Sequence, residues 1–543
     1  MARTPLMRAL RRIAGEHQAA AALGVSVEEA RERRAEQGQS RRDFVKRAGL
    51  LGAAGAGLAV AGRAALGQPA FAATAPRIAI IGGGISGLVA ALTLRQGGYA
   101  STVYEASGRV GGRMHTDFTE FGPGFFANGQ QAELCGELID SDHTLILQLA
   151  AQFGLTVTDV LAAQPKGTTD TYYVNGGFYP FSQASRDFGP VNRVLQQQIN
   201  AAPFPTQYNS FTAAGKKLDN MTLRDWISTY VPGGLSSNMG ALLNAAYNEE
   251  FGAETTGQSA LNLVYLLGFP LEPGQWSIYG SSDERYRIQG GNSLLPLAIA
   301  GALPGGSVRL GSFMNAIAAN ANGSVTVTFA GGKSVTADYV ILALPFAVLR
   351  TVDYSKAGFD ALKVKAITQY GAGRNAKLSM QFSSRIWNRT GSDGSLYTDL
   401  PVDSGWEESR GEPGSTGLWV AYPGANVATS WGQRDPYSTS ASNGNVAKIA
   451  GQVLSQLEVF YPGISAQWTG KATLSTPFTD PNLLLSYAYY KPGQYTGFSG
   501  YEPVPMGRIH FAGEQCSSDF QGFMEGGAEE GQRAANEILA LLS

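Results

Sequence analysis

The stretch Arg77-Ile78-Ala79-Ile80-Ile81-Gly82-Gly83-Gly84-Ile85-Ser86-Gly87 constrains this chain more than any other. An apolar run passes straight into glycines, which predicts a buried parallel strand, a tight turn and a helix. Gly82, Gly84 and Gly87 have the spacing G-x-G-x-x-G. The first glycine of such a pattern allows the turn, the second lets backbone approach a pyrophosphate, and the third lets helix and strand pack closely. The helix start at Ile85 and Ser86 offers free N–H groups and a positive dipole end to phosphates. The strand Ser101–Tyr104 follows and is closed by Glu105-Ala106. Glu105 is placed to accept hydrogen bonds from a ribose hydroxyl, so the order predicts a dinucleotide site.

Just past that acid, Arg109-Val110-Gly111-Gly112-Arg113-Met114 sets a second glycine pair between two arginines. A second place where backbone and guanidinium meet phosphate suits a cofactor held along its whole length. At the far end, Arg508-Ile509-His510-Phe511-Ala512-Gly513-Glu514 reads as a short buried strand ending in Gly-Glu. After a loop, Gly522-Phe523-Met524-Glu525-Gly526-Gly527-Ala528 opens a helix that runs through Arg533 to Leu542. Strand, glycine turn, helix, acid and R-x-G-G-R resemble the N-terminal signature of the flavin amine oxidases: monoamine, polyamine and L-amino-acid oxidases. The C-terminal F-A-G-[DE] and G-[YF]-M-E-G segments resemble the matching half.

The resemblance implies an α/β fold, a Rossmann-like FAD-binding domain of amine-oxidase type with an interleaved α+β substrate-binding domain. The FAD-binding domain is expected in three pieces, 76–130, 284–350 and 500–543. The substrate domain is expected in two, a mostly helical 131–283 and a mixed 351–499. Within the second cofactor piece, a helix is predicted at Ser293–Ala302. Strands are predicted at Ser307–Leu310, Ser324–Phe329, Ser334–Thr336 and Tyr339–Pro345, with Gly331-Gly332 in a hairpin turn. Glu514 is implied to contact the ribityl–phosphate region of the flavin. Gly513, Gly522, Phe523 and Met524 are implied to lie beside it.

Three side chains are expected to serve the chemistry. Lys377 lies in Asn375–Phe382, an alternating, half-buried strand pattern, ten residues before Trp387. The resemblance implies that it reaches a water bridged to flavin N5; the bland alternative is a strand-edge lysine in solvent. Tyr487 in Leu485-Ser486-Tyr487 matches one wall of the family's aromatic cage, and Phe523 matches the other. Two facing rings favour an amine nitrogen electrostatically. Ser486 takes the place where some monoamine oxidases carry the cysteine that binds flavin covalently, so FAD is expected to be non-covalent. Pro477 stands where some members have a tryptophan, which puts one stacking contact in question.

The function so implied is FAD-dependent oxidative deamination of a primary or secondary mono-, di- or polyamine. Hydride passes to flavin N5, and O2 reoxidation gives hydrogen peroxide, ammonia and aldehyde. The alternative is an L-amino-acid oxidase giving a 2-oxo acid; a carotenoid-type flavin desaturase, a non-enzymatic FAD scaffold and an NAD-dependent oxidoreductase stand further off. Phe121–Asn128 holds no arginine for a substrate carboxylate, although Arg285, Arg374 or Arg385 could serve from elsewhere. Glu133, Glu137 and Asp140 could hold the distal ammonium of a diamine, or lie on a solvated helix face, which is the reading preferred from sequence.

Ahead of the enzyme, Ser40-Arg41-Arg42-Asp43-Phe44-Val45-Lys46 is a twin-arginine motif. An Ala/Gly/Leu run from Ala48 to Ala61 follows, and Ala70-Phe71-Ala72 offers a small-residue cleavage pattern. Residues 1–72 are therefore expected to be a twin-arginine signal peptide, with export to the periplasm or beyond by that machinery. From residue 73 onward, 29 Lys and Arg face 37 Asp and Glu, a net charge near −8. That balance argues against nucleic-acid or anionic-membrane binding. A homodimer is left open. Two cysteines and four histidines, without C-x-x-C or H-E-x-x-H spacing, predict neither a disulfide framework nor a metal site.

Overall fold

The computed structural model describes residues 75–269 and 276–543. The twin-arginine motif and the cleavage pattern lie outside the described residues. A five-stranded parallel sheet is ordered Ile509–Phe511, Tyr339–Leu342, Ile78–Ile81, Ser101–Tyr104, Val308–Arg309. Its central strand, Ile78–Ile81, is buried throughout, as a strand covered on both faces must be. Because all five run the same way, their carboxyl ends share one edge. Gly82, Glu105, Ala343 and Ala512-Gly513 all emerge there, the edge where open α/β sheets receive ligands.

Two helices close over this sheet. The glycine helix Ile85–Gln96 follows the turn, and Met524–Leu542 packs across it. Glycine makes both approaches possible. A Cβ on Gly87 would stand 1.9 Å from Gly82 O, and one on Gly531 would stand 2.0 Å from Ser86 O. Gly87 therefore acts by packing.

The predicted hairpin about Gly331-Gly332 forms, pairing Val325–Phe329 with Ser334–Ala337. Its sheet has two further strands, Met314–Ala319 and Asp353–Lys356, which were not predicted. Met314-Asn-Ala-Ile-Ala-Ala carries alanine-rich local helix propensity, and tertiary pairing overrides it. An eight-stranded sheet forms the other half, in the order Tyr437–Thr439, Trp468–Ser475, Lys377–Phe382, Gly417–Ala421, Ser404–Glu407, Ser392–Thr398, Thr169–Val174, Gly177–Phe178. The segment 131–283 is rich in helices, Phe181–Ala201 and Asn238–Glu250 among them, yet it also supplies two strands to this sheet. Lys377–Phe382 is buried at every position, not alternately, because strands flank it on both edges and both faces are covered. Its polar residues find partners inside: Gln381 Nε2 donates to Gln130 Oε1 at 3.0 Å. No helix among the described residues is long and apolar enough to cross a membrane.

Candidate active site

The carboxyl edge of the parallel sheet opens into a large cavity that continues to the face of the eight-stranded sheet. Its sheet end is built from backbone. Gly82 has φ 109°, and a Cβ there would lie 2.4 Å from Ala343 O. Gly111 N donates to Gly83 O at 2.9 Å, which clamps the second glycine pair onto the first. A Cβ on Gly112 would stand 3.3 Å from Gly84 Cα, so a side chain would fill this cradle. The glycine helix starts at Gly84 without a side-chain cap, and the buried Ser86 Oγ has no hydrogen-bond partner. Uncapped N–H groups beside an orphaned hydroxyl suit a phosphate. Glu105 lines the same end. One of its oxygens accepts from Gly83 N at 2.6 Å, and the other accepts from Ser107 N and Oγ. Three of roughly four lone-pair directions are thereby used, which leaves room for one further donor.

The two ends of the chain meet here. Arg113 Nη1 donates to Glu514 Oε1 and to Ser486 O, each at 2.9 Å, across 401 residues in the first case. Glu514 also accepts from Gly522 N at 2.9 Å and from Ala488 N at 3.2 Å. The arginine–carboxylate pair thus fixes the loop that presents Phe523 and the strand that follows Tyr487. Of the expected cofactor-site residues, Gly82, Gly84, Ile85, Ser86, Glu105, Arg109, Gly111, Gly112, Arg113, Gly513, Glu514, Gly522, Phe523 and Met524 line this cavity. Gly87 and Ala106 do not; Gly87 lies under the helix, against Gly82 O.

Lys377, Tyr487 and Phe523 line the cavity too. Lys377 is 4 % exposed, so the solvent-facing reading fails. Its Nζ pairs with Glu137 at 2.7 Å and stands 3.5 Å from Glu408. Burial alone would lower its pKa; Glu137 and Glu408 outweigh that and hold the ammonium charged. Trp406 Nε1 donates to the Glu137 carboxylate at 3.2 Å, and its ring lies 5.7 Å from the ammonium. The Tyr487 hydroxyl donates to Glu249 O at 3.1 Å, and its ring packs on Gly522. The Phe523 ring meets His143 edge-on at 5.1 Å. Ser486 Oγ donates to Asn375 Oδ1 at 2.7 Å, and Pro477 joins the lining.

The acids of 131–140 are not on a solvated helix face. The segment forms no helix, and Glu133, Glu137 and Asp140 are all buried. Burial beside a cavity also marks residues the sequence reading missed. Tyr279, Tyr397, Trp406 and Tyr422 extend the aromatic wall, and Glu249, Glu250 and Glu284 add carboxyls to it. Burial raises the pKa of Glu250 and Glu284 to about 8 and that of Asp140 to about 6. No side chain among the described residues donates to Glu250 or Glu284. The proposed carboxylate partners are elsewhere. Arg285 pairs with Asp159 at 2.8 Å, Arg385 pairs with Glu407 at 2.5 Å, and Arg374 lies outside the cavity. The arginines that line it, Arg109 and Arg113, sit at the cradle end. Asp140, Asp142 and His143 bring ligand-type atoms within 4.8 Å of one another; His143 Nδ1 accepts from the Asp140 N–H at 3.0 Å, and Nε2 lies 3.6 Å from Asp140 Oδ2.

Comparison with known proteins agrees with this geometry. The profile of the family described as flavin containing amine oxidoreductase matches residues 85–539. YobN of Bacillus subtilis (strain 168), provisionally named an L-amino-acid oxidase, is 27% identical over 494 residues, covering 85% of this chain and 94% of its own. Flavin-containing amine oxidase A of Sus scrofa is 24% identical over 481 residues, covering 86% and 85%. The solved structure of cyclohexylamine oxidase from Brevibacterium oxydans IH-35A superposes with a TM-score of 0.72 at 21% identity, covering 86% of this chain and 99% of that one. The fold, the glycine cradle joined to the far end of the chain, and the profile match agree: this chain belongs to the flavin-containing amine oxidoreductases.

Proposed function

We propose that the chain binds FAD non-covalently and oxidises an amine that carries a second cationic nitrogen, a diamine or polyamine. Gly82, Gly84, Ser86 and the helix start would hold the pyrophosphate, and Glu105 a ribose hydroxyl. Arg109, Arg113, Glu514 and the turn Gly522–Met524 would hold the rest. Ser486 cannot form a thioether, which supports non-covalent binding. Bound there, FAD supplies the acceptor for the amine's α-hydrogen and its electron pair, and oxygen takes those electrons to hydrogen peroxide.

The chain's own groups do the positioning. Tyr487 and Phe523 orient the reacting nitrogen between two ring faces. Lys377, held by Glu137 and Trp406, sets a fixed positive charge and orients water where negative charge develops. The surrounding aromatic wall excludes solvent. The observation that carries the substrate class is the lining beyond Tyr487. It holds the carboxyls of Glu249, Glu250 and Glu284 and no arginine among the described residues. A substrate carboxylate would find no arginine to pair with there, whereas an ammonium would favour the ionised form of Glu250 and Glu284 and pair with it.

An L-amino-acid oxidase is the second reading, supported by the likeness to YobN; the position of the arginines counts against it. Peroxide release measured across monoamines, diamines, polyamines and L-amino acids separates the two. Turnover of diamines or polyamines above monoamines is expected, and turnover of L-amino acids alone would reverse the assignment. Export in the folded state is proposed on Ser40–Lys46. Replacing Arg41 and Arg42 by lysine should leave the enzyme inside the cell.

A further inference from the structure

On the other side of the segment 373–375 from the active site lies a second, open groove of about 370 Å³. Asn375 lines the active-site cavity, while its neighbour Arg374 lines the groove. Arg350, Tyr489 and Lys491 complete its donor set. These groups are not used up within the fold. Arg350 Nε donates to Ile367 O at 2.6 Å and Nη2 donates to Tyr370 O, which leaves Nη1 uncommitted among the described residues. The side chains of Arg374 and Lys491 make no ion pair or hydrogen bond among the described residues. Tyr489 lines the groove and is 7 % exposed, and its hydroxyl has no hydrogen-bond partner among the described residues.

The charge is unbalanced as well. One acid, Glu254, lines the groove with three cations. Its carboxylate accepts from Asn248 Nδ2 at 3.2 Å and from Asn426 N at 3.3 Å and pairs with none of them. Burial lowers the pKa of both Arg350 and Lys491, and Arg350 lowers that of Lys491 further. Arg350 is half-buried, Arg374 and Lys491 are exposed at the groove's rim, and like charges gathered around one groove favour a counter-charge between them. Two guanidinium groups, an ammonium and a phenolic O–H are the donors that recognise a carboxylate or a phosphate.

We propose that this groove is a binding site for a small oxyanion, either a carboxylate or a phosphate group, held by Arg350, Arg374, Lys491 and the Tyr489 hydroxyl. The site is separate from the cofactor cradle and does not depend on the substrate assignment. Calorimetric titration of the flavin-loaded full chain with inorganic phosphate, and separately with acetate, tests it at an ionic strength held constant with chloride. Saturable binding of one anion per chain is expected with at least one of the two, and the tighter anion identifies the chemistry. Arg374→Gln combined with Lys491→Gln should raise the dissociation constant at least tenfold. Tyr489→Phe, which removes one oxygen atom, should raise it severalfold while the flavin spectrum stays unchanged. Unsaturable heats with both anions, or equal affinity in wild type and both variants, would overturn the proposal.

Discussion

At the scale of single residues, the site works through charges held away from water. Lys377 is legible in the sequence because its spacing to Trp387 can be read directly. Its partner Glu137 is not, because an acid-rich segment looks the same on paper whether it is solvated or buried. Only the fold shows that Glu137 lies 2.7 Å from the ammonium. Lys377→Met should slow reoxidation of the reduced enzyme by oxygen by about 10²-fold, the scale of one lost preorganised electrostatic contact. Stopped-flow mixing with oxygen measures this, and anaerobic reduction by amine should change little. Glu250 and Glu284 give a pH dependence of known sign. With pKa values near 8 they are neutral below that pH and become carboxylates above it. Diamine binding should therefore tighten as pH rises through about 8. Glu284→Gln should weaken it by about 10- to 150-fold, in line with a charge-assisted hydrogen bond of roughly 1.5–3 kcal/mol, and should leave monoamines unaffected.

Among the elements, glycine decides how closely they approach. The strand–turn–helix from Ile78 to Gln96 and the C-terminal helix are legible because their patterns are local. The strand Thr169–Val174 is not, because it pairs with Ser392–Thr398 far along the chain, and Met314–Ala319 is not, because its alanines favour helix locally although its partner Val325–Phe329 follows in a hairpin. The tolerance at helix crossings is narrow. A methyl group at residue 531 would meet Ser86 O at 2.0 Å, so the C-terminal helix must retreat from the glycine helix. Gly531→Ala should cost about 1–3 kcal/mol, the usual range for overpacking. A lowered midpoint in denaturant with an unchanged slope would register this as a change in native stability. The same substitution at the exposed Gly444, where nothing lies within 4 Å, should have almost no effect.

For the whole molecule, residues from both ends of the chain make one site. The parallel sheet sets the strand of residues 509–511 beside that of 339–342, and the latter beside that of 78–81. Arg113 and Glu514 then join the two halves across the cavity. The cradle was legible because each half carries its own compact motif. The substrate half was less so, since its aromatic and acidic lining is drawn from segments with no shared local signature. We propose that one cavity holds a flavin at the cradle and presents a cationic amine to it from the acidic side. Anaerobic titration of the purified flavoprotein, followed by visible absorbance, tests this directly. A diamine or polyamine should bleach the flavin bands stoichiometrically while L-amino acids leave them intact. Bands that persist with every amine, or a chain that retains no flavin, would contradict it.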